Sequence, residues 1–223
     1  MSETFITSDQ LAELTHEFHE ELIYPTRQAR QQHLIVIGGG PGSGKTTAAR
    51  KMAGLANSWH VQSNSARWLL SQHNLPYGQN VHSLVHSMIK RLLDQGSSVT
   101  LDGMLTEREE RDIIRELAFD YGVPVFCIAI MCRPAIAEQR AVERYKDSAP
   151  SRFEDWRCKP EKFQEYLKSI RTLTAKLEDN LTDRFDDPSE GILRLSNNSK
   201  KDGLLISVGE AWQMISDKYL IRL

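Results

Sequence analysis

The chain has 223 residues, a formal net charge of −2 and an apolar fraction of 40%. This length suits one domain with an ordinary hydrophobic core, and the near-neutral charge argues against a broad basic surface for nucleic acid. No apolar run is long enough to cross a bilayer, and the N-terminal sequence has neither the basic nor the apolar segment of a secretory signal. The three cysteines are odd in number and lack the spacing of a zinc site. We therefore expect a cytoplasmic protein of one domain, residues 1–223, without a membrane partner.

The first helix is predicted to begin at Thr7, because Thr7 and Gln10 have the spacing of a capping box. Apolar residues then mark one helical face, before Pro25 ends or kinks the helix. They are Leu11, Leu14, Phe18 and Leu22. Since this helix precedes the first predicted strand, residues 1–32 are interpreted as a helical extension of the domain.

A glycine-rich segment follows the first predicted strand, residues 34–37, and precedes a helix predicted at 48–53. It fits the phosphate-loop pattern G-x-x-x-x-G-K-[ST]. The pattern consists of Gly39, Gly40, Pro41, Gly42, Ser43, Gly44, Lys45 and Thr46, with Thr47 adjacent. Glycines let backbone N–H groups approach phosphate oxygens, Lys45 supplies a charge for the β- and γ-phosphates, and the Thr46 hydroxyl suits Mg²⁺. We predict that this segment binds ATP or GTP with Mg²⁺.

Strands and helices alternate along the rest of the chain. Further strands are predicted at 59–62, 99–101, 123–132 and 192–195. Further helices are predicted at 63–72, 80–94, 106–121, 135–145 and 161–182 and at the end of the chain, with a turn-rich loop at 197–203. The strand at 123–132 is nearly all apolar, which is typical of a parallel sheet covered on both faces. The pattern predicts an α/β fold, a three-layer sandwich with a mainly parallel sheet of about five strands, strand 34–37 being central and the phosphate loop lying at its carboxyl edge.

Asp102 directly follows the third predicted strand. Mg²⁺-nucleotide chemistry uses an aspartate in that position, opposite the phosphate loop. The alternative is a simple turn aspartate before Gly103. We interpret Asp102 as a candidate metal ligand and proton acceptor.

Three arginines follow the fourth predicted strand. Arg140 and Arg144 lie at i, i+4 on one predicted helix, and Arg152 lies in the polar segment after it. Guanidinium groups in this position can clamp a transferring phosphate, whereas the alternative is a solvated helix face. Residues 133–160 are therefore interpreted as a lid region.

Two histidine pairs have spacings that also occur in metal sites. His16 and His19, at i, i+3, have no neighbouring ligand and are interpreted as surface residues. His82 and His86, at i, i+4, lack the glutamate of the H-E-x-x-H motif and are predicted to form a polar face that lines a cleft or faces solvent.

The order of these motifs resembles the small P-loop kinases, in particular polynucleotide 5′-kinases and the zeta-toxin group of sugar-nucleotide kinases. The likeness rests on GGPGSGKTT, on N-x-x-R after the second strand, on Asp102 and on R-x-x-x-R, and it extends to LLDQGSSVTLDG, ERY and ILRLSNN. It implies ATP-dependent phosphorylation of a hydroxyl on a small molecule, such as a sugar nucleotide or nucleotide. In that scheme Lys45 and Arg140 bind the nucleotide, while Arg144 and Arg152 stabilise the transferring γ-phosphoryl group.

One family residue is replaced in this chain. The family has an aspartate three residues before the arginine of the N-x-x-R segment, where this chain has Asn64. An amide hydrogen-bonds a hydroxyl but cannot take its proton. Two functions therefore stay open, a kinase in which Asp102 is the base, and a regulatory protein that binds or slowly hydrolyses nucleotide. A nucleic-acid end kinase is a third, weaker alternative, because the pI of 6.4 opposes it; an inhibitory protein partner is left open.

Overall fold

The computed structural model describes residues 5–23, 25–103, 108–147, 167, 168, 170, 172, 192–198 and 201–217; the side chains of 144–147, 201 and 202 lie outside the described set. The predicted helix 161–182 is described at four positions, all of them helical.

Five strands form one sheet in the order β2-β3-β1-β4-β5, and every neighbouring pair is parallel. The strands are β1 (Leu34–Gly38), β2 (Trp59–Gln62), β3 (Val99–Asp102), β4 (Val125–Met131) and β5 (Leu193–Ser196). The first strand is thus central, and the predicted α/β fold with a parallel sheet is confirmed. Because the strands are parallel, their carboxyl ends meet at one edge, where ligands of such folds bind.

Besides the helical positions within 161–182, the described part of the chain contains seven helices. They are α1 (Ser8–Glu20), α2 (Lys45–Ala56), α3 (Ser63–Gln72), α4 (Gln79–Asp94), α5 (Arg108–Asp120), α6 (Pro134–Asp147) and α7 (Lys201–Ile215). None of the helices within these described segments is long and apolar enough to span a membrane.

The side chains of the central strand alternate between two hydrophobic clusters. Leu34 and Val36 belong to the cluster formed with α1, α3, α4 and α5. Ile35 and Ile37 belong to the cluster formed with α2 and α7. This alternation is the two-residue period of a strand, and it gives three layers, helix–sheet–helix.

The N-terminal extension packs into the first of these clusters. Thr7 caps α1 through the predicted capping box with Gln10. Phe18 is fully buried, and the Thr15 hydroxyl donates to Ser87 Oγ on α4 at 2.9 Å. The backbone N–H of Ile6 donates to the Asn80 side chain, which ties the start of the helix to α4.

Several boundaries differ from the sequence prediction. Helix α2 begins at Lys45 rather than at residue 48, because the left-handed Gly44 turns the loop directly into the helix. The predicted loop 197–203 is wrong in its second half, because α7 begins at Lys201 and contains Gly203. Strand β4 is Val125–Met131, shorter than predicted at both ends. Pro124 lacks an N–H for the ladder, so it stays outside the strand.

Candidate nucleotide-binding site

The phosphate loop joins the end of β1 to the start of α2 in a conformation that requires glycine. Gly39, Gly42 and Gly44 have φ angles of 154°, 75° and 92°. A Cβ atom at Gly39 would lie 2.7 Å from Ser43 Oγ, and one at Gly42 would lie 2.6 Å from the Ala137 carbonyl oxygen. Side chains at these positions would therefore collide as well as strain the backbone.

The start of α2 presents backbone donors at this loop. Gly44 precedes the helix and has no side chain to cap it. The first intrahelical bond recorded runs from Ala48 N to Gly44 O at 3.0 Å. The N–H groups in the first turn of an α-helix have no carbonyl partner within that helix, and such groups bind anions at helix N-termini. The positive end of the helix dipole and the Lys45 ammonium favour an anion here.

Asp102 ends the strand next to β1. It is paired in register with Ile37, and the following N–H, of Gly103, donates to Ile37 O at 3.2 Å. Its neighbour Leu101 belongs to the cluster on the opposite face. Strand alternation therefore places the Asp102 side chain on the face covered by α2, the helix of the phosphate loop. The sequence prediction that places Asp102 opposite this loop agrees with the topology.

The Asp102 carboxylate is only 4% exposed, and its Oδ1 atom lacks a hydrogen-bond partner among the residues that the structure describes. A buried carboxylate oxygen without a partner is costly, and in native proteins it usually faces an ion, water or ligand. Oxygen donors suit Mg²⁺, so Asp102 Oδ1 and the Thr46 hydroxyl fit this ion. No cluster of three or more metal-binding side chains exists in the described ranges. Mg²⁺ in phosphoryl-transfer sites needs only one or two protein ligands besides phosphates and water.

His60, on the edge strand β2, was not predicted as a site residue. Its Nε2 atom lies 3.7 Å from Asp102 Oδ2, and both side chains are buried. The Gln62 amide nitrogen donates to His60 Nδ1 at 3.2 Å, so the proton of the neutral ring lies on Nε2, facing the carboxylate. The sequence gives only a weak sign that His60 belongs to the site, because it is one of two polar residues, with Gln62, that alternate with apolar ones along a short strand.

Asn64 lies in the first turn of α3, directly after β2. Its amide oxygen accepts a hydrogen bond from Arg67 Nη1 at 2.9 Å. Arg67 and Asn64 of the N-x-x-R segment thus form a hydrogen-bonded pair. Asn64 is the residue that stands where the family has an aspartate.

The predicted arginines differ in how far the structure describes them. Arg140 reaches the phosphate loop, since its Nη1 lies 3.4 Å from the Gly42 carbonyl oxygen. The same nitrogen lies 3.4 Å from Cys132 Sγ, and burial raises the pKa of this thiol while the guanidinium opposes the rise. Arg144 lies on α6, but its side chain is outside the described residues, and Arg152 is wholly outside them.

Asn197, a second residue that the sequence did not reveal, lies beside Arg140. It follows β5 directly and is 3% exposed. Its Nδ2 atom donates to the Ser43 carbonyl oxygen at 2.6 Å, and its Oδ1 atom accepts from Arg140 Nη2 at 3.2 Å. The signals in the sequence are its place in the ILRLSNN segment and its position after a parallel strand, whose carboxyl end lies at the ligand edge.

The histidines of the two pairs differ in their exposure and contacts. His16 is exposed beside Glu20, as predicted, but His19 is half-buried and its ring packs against Trp59 at 5.1 Å, so the prediction of a surface position is wrong for His19. His82 Nε2 lies 3.9 Å from Glu110 on α5. Burial, with smaller contributions from His82 and Lys90, lowers the pKa of His86 to about 4.

Comparison with protein families gives a match to the AAA domain model over residues 34–167. The chain belongs to the AAA domain family. The matched residues begin at β1 and include the phosphate loop, Asn64, Asp102 and Arg140. Comparison with curated proteins gives no match.

Solved structures with a similar fold include several kinases. A sugar kinase from Janibacter sp. HTCC2649 aligns with a TM-score of 0.52 and 17% identity, over 83% of this chain and 96% of its own. A gluconokinase from Sinorhizobium meliloti 1021 aligns with a TM-score of 0.51 and 13% identity, over 86% of this chain and 99% of its own. Chaetomium thermophilum Kti12, in complex with ADP-AlF3, aligns with a TM-score of 0.53 and 18% identity, over 81% of this chain and 97% of its own. The chain thus has a P-loop kinase-like fold.

Proposed function

We propose that this AAA-family chain is a Mg²⁺-dependent phosphotransferase that moves the γ-phosphoryl group of ATP or GTP to a hydroxyl. The acceptor is a small molecule, for which the zeta-toxin likeness favours a sugar nucleotide or nucleotide. The observation that carries the proposal is Asp102, whose buried, unpartnered oxygen lies on the α2 face of the strand beside β1. A carboxylate in that position can hold the Mg²⁺ of a bound nucleotide and can accept the proton of an attacking hydroxyl.

Each residue of the proposed site has a distinct role. Lys45 and the first N–H groups of α2 hold the β- and γ-phosphates. Thr46 and Asp102 are the residues that would hold Mg²⁺, which when bound supplies charge neutralisation between these phosphates. The acceptor oxygen forms the new bond to the γ-phosphorus while the bond to the β–γ bridging oxygen breaks, and the nucleoside diphosphate leaves. Asp102 takes the hydroxyl proton.

The transferring group carries negative charge that positioned guanidinium groups stabilise. Arg144 and Arg152 are proposed for this role, which rests on their sequence positions alone. Arg140 is the member of the set whose side chain contacts the phosphate loop. Its position supports a nucleotide site built jointly by the loop and α6.

The second candidate function is a regulatory protein that binds nucleotide without transferring phosphate. Asn64 favours it, because an amide oxygen that accepts a hydrogen bond from Arg67 cannot take the proton of a hydroxyl as the family aspartate could. A positioned general base contributes about 10²–10⁴-fold to rate, whereas phosphoryl transfer depends more on placement and charge. The loss of the aspartate therefore weakens transfer without removing the phosphate machinery.

Incubation with γ-labelled ATP and Mg²⁺ tests these two functions. The acceptor pools are sugar nucleotides, nucleosides, aminoglycosides and 5′-hydroxyl oligonucleotides, the last of which also tests a nucleic-acid end kinase. Label transferred to any pool by the wild type, and lost in a folded Lys45→Ala variant, supports a kinase. Nucleotide binding without labelling of any pool supports the regulatory protein. A wild type that neither binds ATP or GTP nor labels an acceptor contradicts both.

A further inference from the structure

Asn197 lies where the ends of β4 and β5 meet the phosphate loop. Its backbone N–H donates to the Met131 carbonyl oxygen at the end of β4, at 2.7 Å. This bond continues the sheet ladder by one residue and fixes the backbone from which the side chain projects. The side chain is buried, so its amide must find partners within the protein.

Both ends of that amide act on the loop. The nitrogen donates to the Ser43 carbonyl oxygen, and the oxygen accepts from Arg140, which also donates to the Gly42 carbonyl oxygen. Two consecutive carbonyl groups of the phosphate loop are therefore held by a strand end and a helix. Arg140 belongs to α6, so these bonds also join that helix to the loop.

Holding a carbonyl group fixes the N–H group of the next residue. In a planar trans peptide the two point in opposite directions. The bond from Asn197 to Ser43 O therefore directs the Gly44 N–H away from Asn197. A Cβ atom at Gly44 would collide with the Asn197 amide nitrogen, so the loop and the side chain are in close approach. Gly44 immediately precedes α2, whose N-terminal donors form the proposed phosphate site.

We propose that Asn197 is a positioning residue for the phosphate loop. With Arg140 it holds the Gly42 and Ser43 carbonyl groups behind the loop, so that the N–H of Gly44 is already oriented for the β-phosphate before nucleotide binds. This role rests on the proposed nucleotide binding and deepens it. Preorganisation raises affinity because the loop does not have to be ordered when the ligand arrives.

The Asn197→Asp variant tests this role at nearly constant size. An aspartate keeps an acceptor for Arg140 but loses the N–H group that donates to Ser43 O. Asn198→Asp is the matched control, because it adds the same charge one residue later. The Asn198 oxygen accepts from Arg133 N and its nitrogen donates to Ser196 Oγ, and the residue is exposed.

Two measurements are made on the full chain. Amide hydrogen exchange of the segment 39–47 is followed in the free protein, and the affinity for ADP with Mg²⁺ is measured by calorimetry. Asn197→Asp should speed exchange of the segment and weaken ADP binding about tenfold, the scale of leaving a buried carbonyl oxygen without its donor. Asn198→Asp should change neither. Equal effects of the two variants on ADP would show a general charge effect and overturn the proposal.

The exchange measurement separates this proposal from the proposed function. If the wild type does not bind ADP, nucleotide binding fails, while exchange of 39–47 still decides whether Asn197 holds the loop. Unchanged exchange in Asn197→Asp overturns the proposal, as does faster exchange with unchanged ADP affinity. If Asn197→Asp does not fold, Arg140→Lys replaces it, because lysine keeps the charge but loses the fork that reaches both Gly42 and Asn197. The same two outcomes then apply to Arg140→Lys.

Discussion

Asp102 ends β3, and Asn64 lies in the first turn of α3, directly after the adjacent strand β2. Of the two, only Asp102 carries a group that accepts a proton from a hydroxyl. Asp102 has a buried oxygen without a partner in the described part of the chain, whereas the Asn64 oxygen accepts from Arg67. Asp102→Asn should therefore lower the transfer rate by about 10²-fold or more, the scale of a lost general base. The measurement is turnover with the acceptor identified by labelling.

Asn64→Asp is the matched variant, because it makes the reverse exchange of amide and carboxylate. In a working kinase it should change the rate only modestly, since Asn64 then orients the acceptor. In a protein that has lost transferase activity it is expected to restore labelling of an acceptor. Full wild-type turnover in Asp102→Asn would show that the acceptor chemistry lies elsewhere.

At the scale of single residues, the candidate site residues that the sequence offered were those that form a local pattern. The phosphate loop is contiguous, so its glycines, Lys45 and Thr46 could be recognised together. His60 and Asn197 were missed because their partners are distant in sequence; Asn197 contacts Ser43 across 154 positions. Only the order of strands, which the sequence does not display, brings such residues together.

At the scale of elements, α4 carries a pH-sensitive group. Burial, with His82 and Lys90, lowers the pKa of His86 to about 4, against about 6.5 in an unfolded chain. Between these two pKa values, His86 therefore binds a proton in the unfolded chain but not in the folded chain. His86 should leave stability unaffected above about pH 6.5 and reduce it progressively as the pH falls towards 4.

Urea unfolding at pH 7.5 and at pH 5 measures this effect. The His86→Gln variant should lose less stability than the wild type between the two values. Burial also lowers the pKa of His33, so His33 reduces the stability of both proteins as the pH falls. An equal loss of unfolding free energy in the wild type and the variant would mean that protonation of His86 does not destabilise the folded state.

Element boundaries were predictable where side chains alternate or a cap is present. Thr7 and Gln10 marked the start of α1 correctly, because a capping box is a local interaction. The start of α7 at Lys201 was missed, since Asn197 and Gly203 suggested a longer turn. In the folded chain Asn197 is engaged with the phosphate loop instead, and the helix tolerates Gly203 and Gly209 because its other residues pack.

At the scale of the whole molecule, α1 contributes to the core that the sheet builds with α3, α4 and α5. Phe18 is fully buried in that cluster. Phe18→Ala should destabilise the protein by about 3–5 kcal/mol, which lowers Tm by roughly 10 °C in a chain of this size. Glu13→Ala is the control, because Glu13 is exposed on the same helix. Similar Tm values for the two variants would show that α1 does not stabilise the rest of the fold.

The last prediction links the nucleotide site to the stability of the whole molecule. A ligand that binds only the folded state stabilises it by about 2.7 kcal/mol at 100 times its Kd. For a chain of this size that free energy raises Tm by roughly 5–10 °C. ATP with Mg²⁺ should produce this shift in the wild type, and GTP should be compared at equal concentration. Calorimetric scans of the full chain provide the measurement.

Lys45→Ala should abolish most of this shift while leaving the Tm of the free protein near that of the wild type. The reason is that Lys45 begins α2 at the loop and its charge is proposed to bind the phosphates, while its side chain is not part of either large hydrophobic cluster. Asp102→Asn should reduce the shift chiefly in the presence of Mg²⁺, because its carboxylate is the proposed ligand. A shift that survives Lys45→Ala unchanged would place the nucleotide away from the phosphate loop.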